Sequence, residues 1–166
     1  IYLSLLQQAT DGAINVFNQP LIRNIGAYIY KAHIDSSYYI NYADAAAKLS
    51  TDAGIAFHYG KAANDPLLSS FGAYLARQQQ WQKYIPAETI YGGIRDIFSA
   101  PAILSANPQP ALLPAAWMEE TGIAMARDAA GSTGGFYFSA LAGHNGESHN
   151  HNDVGSCILF YNGQPV

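Results

Sequence analysis

"SANPQPALLPAAW", residues 105–117, separates two textures of chain. Its three prolines remove backbone donors and clash with a preceding turn, so no helix runs through it. Upstream, apolar residues recur at helical spacing. In "NQPLIRNIGAYIYKAHI", Asn18 can cap a helix, Pro20 falls in its first turn, and Leu21, Ile25, Tyr28 and Ile29 follow. "NYADAAAKLSTDAGIAFHYGKAA" is Ala-rich and favours a helix throughout. "NDPLLSSFGAYLARQQQWQKY" opens on an Asp-Pro start signal and repeats Leu68, Phe71, Tyr74, Leu75 and Gln78, while "ETIYGGIRDIFSA" reads as a shorter helix. Downstream, "TGIAMARDA", "GGFYFSALAG" and "VGSCILFY" suit strands divided by Gly-rich turns. Helices followed by strands, without alternation, indicate an α+β chain. Its parts read as a helical segment 1–104, a Pro-rich crossing 105–116, and a β segment 117–166.

Composition narrows the functional classes. Of 166 residues 49% are hydrophobic, which excludes disorder, and only 12% are charged. Twelve tyrosines among many Gly, Asn and Gln residues suggest a neutral, aromatic surface, common in carbohydrate-handling proteins. A net charge of −4 with scattered Lys and Arg argues against nucleic acid, and no apolar run is long enough to span a membrane. The single cysteine, Cys157, excludes an internal disulfide and reads as a small buried residue. The chain opens directly in an apolar helical pattern and stops three residues after Asn162-Gly163, the strongest two-residue hairpin signal. It therefore reads as a fragment of a longer protein.

The densest chemistry lies in "SHNHND", residues 148–153. His149 and His151 are two residues apart, so on an extended backbone their imidazoles point to the same side. With His144, Glu147 and Asp153 close by, they can share a metal or flank a substrate group. Two plainer readings compete. The stretch can be a polar turn with solvated histidines. It also carries the HxHxD of metallo-hydrolases, although Val154 stands where their next histidine belongs.

The longer block "GHNGESHNHNDVGSCILFYNGQPV" resembles the heparinase II/III-like polysaccharide lyases. That resemblance implies the C-terminal part of an incomplete (α/α) toroid followed by the start of an antiparallel β-sandwich. It implies cleavage of acidic, uronate-containing polysaccharides by β-elimination, in a periplasmic or secreted enzyme. A catalytically inactive carbohydrate-binding relative is the alternative.

β-Elimination needs a group to stabilise the uronate carboxylate as the C5 proton leaves, and groups to move protons to and from the sugar. By the resemblance, His149 matches the family's active-site histidine and His151 a zinc ligand, with the metal's other ligands beyond Val166. "IDSSYYINYADAAAKL" matches the stretch bearing the proton-transferring tyrosine. Tyr38 is favoured, with Tyr39 and Tyr42 as alternatives; Tyr38 and Tyr42 share a face if a helix begins there. Tyr38 and His149 are then expected to meet across the boundary between the helical and β parts. Asp153 is expected to orient an imidazole, and His58 to be a structural histidine in a helix.

Overall fold

The computed structural model describes residues 2–86, 89–146 and 151–166, and these form an α+β chain. Two compact units share it: Ile1–Ala27 with Thr51–Pro110, and Tyr28–Ser50 with Ala111–Val166.

The first unit is helical, with α1 (Tyr2–Ala9), most of α2 (Pro20–Lys31), α3 (Ala53–Ala62), α4 (Pro66–Gln78) and α5 (Ile90–Ser105). Each later helix starts on a side-chain cap. Asp52 accepts from Ile55 N–H at 2.7 Å, Asp65 from Leu68 N–H at 3.0 Å, and Thr89 from Gly92 N–H at 3.0 Å. Those bonds satisfy donors that the first turn leaves open. The core is Phe57, Leu68, Phe71, Leu75 and Ile103, all buried, so the expected α4 face is the observed one except for exposed Gln78 and half-buried Tyr74. The helix α5 runs through Pro101 to Ser105 and so outlasts its expected end.

Two glycines bring α3 and α4 together. A Cβ on Gly72 would overlap the Phe57 backbone, and one on Gly60 would overlap Ser69. Gly72→Ala should therefore destabilise this unit by about 1–3 kcal/mol, although alanine is the better helix former. A urea titration monitored by far-ultraviolet circular dichroism will show it as a lower midpoint at unchanged slope.

The second unit is built on an antiparallel meander of β3 (Ala115–Met118), β4 (Ile123–Arg127), β5 (Phe136–Leu141), β6 (Cys157–Tyr161) and β7 (Gln164–Pro165). The hairpin signal is fulfilled: Asn162 (φ 49°) and Gly163 (φ 73°) are both left-handed, as a type I′ turn requires. Register sorts the side chains onto two faces. One carries Ile123, Met125, Arg127, Tyr137, Ser139 and Phe160, all buried. The other carries Trp117, Phe136, Phe138, Leu159 and Tyr161, all exposed. Cys157 lies on this open face and is exposed, contrary to the buried position its type suggests.

Residues Tyr28–Ser50 belong to this unit, and from His33 to Ser50 they are not helical, which corrects the helical reading of that stretch. After α2 the chain forms a small hairpin of β1 (His33–Asp35) and β2 (Tyr38–Tyr39), then a loop to Thr51. The alanines of "ADAAAKL" do not become helical because their backbone is bonded elsewhere. Tyr39 N–H donates to Ala47 O at 3.0 Å, Leu49 N–H to Ser37 O at 3.0 Å, and Ala43 takes a left-handed φ of 54°. Helix propensity is worth tenths of a kcal/mol per residue, and tertiary bonds of this kind override it. Tyr38 and Tyr42 consequently do not share a helical face.

Arg127 fastens the hairpin to the sheet. Its guanidinium donates to the carbonyls of Leu113 (2.8 Å), His33 (3.2 Å), Ile34 (3.3 Å) and Ser132 (3.3 Å), and lies 5.0 Å from the Tyr137 ring centre. Burial pushes its pKa down from the ordinary value.

Candidate active site

Two stretches far apart in sequence meet at the β5–β6 connection. From the hairpin side comes "YYINYAD", residues 38–44; from the β5–β6 connection comes the stretch ending in Asp153. Asp153 Oδ2 accepts from Ala43 N–H at 2.8 Å. His151 Nε2 lies 2.9 Å from Asp44 Oδ1, both side chains being more than half exposed. Tyr42, one residue before the clamp, shares a 3.1 Å hydrogen bond with Ser139 Oγ on β5.

The three candidate tyrosines differ in their surroundings. Tyr39 is 2% exposed, its ring against His33, and offers no access to a substrate. Tyr38 is half-buried; its ring meets Phe160 at 5.2 Å and lies beneath Lys48 Nζ at 4.7 Å. Tyr42 lines a cavity of about 180 Å3 together with Tyr28, Ile40, Thr121, Leu141 and His144. Burial raises the Tyr42 phenol above its ordinary pKa, partly offset by the bond from Ser139. At neutral pH it holds its proton and is equipped to donate it. His144 accepts from Gly146 N–H at its Nδ1 (3.1 Å), so in the neutral ring the proton sits on Nε2.

Tyr38 stands in the sheet row of Phe160, and Tyr42 in the row of Ser139, next to the β5–β6 connection. The fold thus brings the Tyr42 end of the segment, rather than Tyr38, to the histidine-bearing stretch. This meeting occurs within the second unit, to which Tyr38 also belongs. His149 lies outside the described residues.

The Asp44 carboxylate lies at the His151 ring, and Asp153 accepts from the Ala43 amide. His151 and Asp44 are both zinc-ligand types, yet among the described residues no group of three or more His, Cys, Asp or Glu side chains could hold a metal. Two donors fall short of the four of a structural zinc site. Of the remaining histidines, His33 is a core residue whose Nε2–H donates to Ser36 O at 3.1 Å, and burial lowers its pKa. His58 lies in α3, as expected.

Sequence reasoning overlooked Asp44, Ser139 and Lys48. Asp44 is the only one with a local cue, a carboxylate two residues after Tyr42; the other two are recruited by register alone. No protein-family model matches this chain, and no curated protein matches it. Among the described residues no helix is long and apolar enough to cross a membrane.

Proposed function

We propose that the chain forms part of a polysaccharide lyase of the heparinase II/III-like kind, cleaving uronate-containing acidic polysaccharides by β-elimination in the periplasm or outside the cell. The observation that carries this reading is the clamp between "YYINYAD" and "HND". The two stretches on which the resemblance rests are about a hundred residues apart, yet they are bonded to each other through Asp44–His151 and Ala43–Asp153.

In this reading Tyr42 is the general acid. Its raised pKa keeps the phenol protonated, the bond to Ser139 Oγ fixes its hydroxyl, and the residue lines the cavity, where it donates to the departing 4-O. His149 acts at C5 or on the carboxylate. Tyr38 beneath Lys48 is the alternative proton-transfer group, with Lys48 supplying positive charge toward an anionic sugar.

Uncovered apolar surface supports the finer architecture of a toroid part followed by the start of a sandwich. The open sheet face of Trp117, Phe136, Phe138, Leu159 and Tyr161 is what a second sheet covers in a sandwich. The exposed stripe Ile90, Ile94, Ile97 and Phe98 on α5 is what further helices cover in a toroid.

Zinc is assigned to His151, with Asp44 as its carboxylate partner and the remaining ligands outside the described residues. When bound, the ion would organise the loop that carries His149. In the protein at its natural length, His151→Ala should remove the bound metal measured by elemental analysis; unchanged stoichiometry takes His151 out of the site. A binding-only relative is distinguished by uronate polymers that bind without yielding unsaturated product.

A further inference from the structure

We propose that the helical unit carries a separate ligand site, a cavity of about 220 Å3 that takes one uncharged, polyhydroxylated ring such as a pyranose. This inference does not rest on the lyase reading. The cavity is smaller than the ~300–1,000 Å3 of pockets for drug-sized ligands, which limits the occupant to a single ring.

Its walls are aromatic and its polar groups are fixed. Phe17 and Tyr59 meet edge to face at 5.5 Å, and Tyr59 Oη donates to Ile22 O at 2.6 Å, so that ring is held. Tyr2 and Tyr91 add two further phenols. His58 is locked in one tautomer. Ser99 Oγ donates to Arg95 O at 2.5 Å, so the same oxygen can only accept from His58 Nε2–H, at 2.7 Å. The other nitrogen, Nδ1, is then a bare acceptor with no protein donor among the described residues. Burial, aided by Arg95, lowers the His58 pKa and keeps the ring neutral. With Phe17 buried behind Tyr59, the partly exposed rings of Tyr59 and Tyr91 offer apolar surface to the C–H side of a sugar, and the set offers both donors and acceptors to its hydroxyls.

Charge decides against an anionic ligand. Arg95 is already committed to two carboxylates, with bonds to Asp96 at 2.6 and 2.8 Å and to Asp52 at 2.9 and 3.1 Å. One cation against two anions leaves the surroundings net negative. A uronate entering here would be repelled, whereas a neutral glycoside would not.

The test is a titration of the natural-length protein with methyl β-glucopyranoside and, separately, methyl β-glucuronide, followed by the imidazole nitrogen resonances of His58. The glucoside should shift them saturably, and the glucuronide should bind at least ~10-fold more weakly, a difference of about 1.4 kcal/mol. Tyr91, nearly half exposed, tolerates truncation, so Tyr91→Ala should weaken glucoside binding with the thermal melt unchanged. His58→Phe should abolish binding, and Tyr42→Phe should leave it intact. Absence of a saturable shift, equal affinity for the two glycosides, or full affinity in Tyr91→Ala would each overturn the proposal.

Discussion

On the proposed lyase reading, Tyr42→Phe in the natural-length protein is expected to lower kcat on a uronate polymer by ~10²-fold or more while KM changes little. The substitution deletes one hydroxyl and keeps the ring. Ser139 loses a hydrogen-bond partner, but the aromatic packing of the segment persists, so the loss is chemical rather than structural. The elimination creates a C4–C5 double bond conjugated with the carboxylate, and its ultraviolet absorbance gives the rate without a label. Tyr39→Phe should remain active, because that ring is buried against His33. Tyr38→Phe distinguishes the two remaining assignments: full activity leaves the acid with Tyr42, and a collapse equal to that expected of Tyr42→Phe transfers it to Tyr38 and the Lys48 side of the hairpin.

Arg127→Met should cost the sheet unit at least ~3 kcal/mol of stability. Methionine fills comparable volume but donates nothing, so the carbonyls of His33, Ile34, Leu113 and Ser132 lose the guanidinium that satisfies them. Unpaired buried acceptors keep their desolvation cost. The hairpin would loosen from the sheet, and the Tyr42–Ser139 bond with it. Tyr137→Phe is the contrasting control. The Tyr137 hydroxyl is buried without a hydrogen-bond partner among the described residues, so its removal should be neutral or stabilising. Urea midpoints of both variants, read from intrinsic fluorescence, to which Trp117 of this unit and Trp81 of the helical unit both contribute, would establish the order. Equal midpoints for Arg127→Met and the wild type would show that the carbonyl cluster does not hold the hairpin.

The change from helices to strands between Ser105 and Ala115 was legible because proline and period act locally. The capped starts at Asp65 and Pro66, the strands β4 to β6 and the Asn162-Gly163 turn could all be read directly. The segment from His33 to Ser50 could not. Its alanines carry a helical preference, but its backbone bonds go to partners set by the hairpin, and one of them is Asp153, more than a hundred residues away. The same long-range recruitment hid Asp44 and Ser139, whose partners lie about a hundred residues away. Cys157 misled for a related reason. A small apolar type predicts burial on average, but strand parity puts residue 157 with Leu159 and Tyr161 on the uncovered face.

The most direct test of the central claim is product analysis of the natural-length wild-type protein incubated with a panel of uronate polymers, alginate and glycosaminoglycans included. The account predicts oligosaccharides with a C4–C5 unsaturated non-reducing end, seen as rising ultraviolet absorbance and as a vinylic proton by NMR. Folded protein that yields no unsaturated product from any uronate polymer, or that yields saturated ends from hydrolysis, would contradict it.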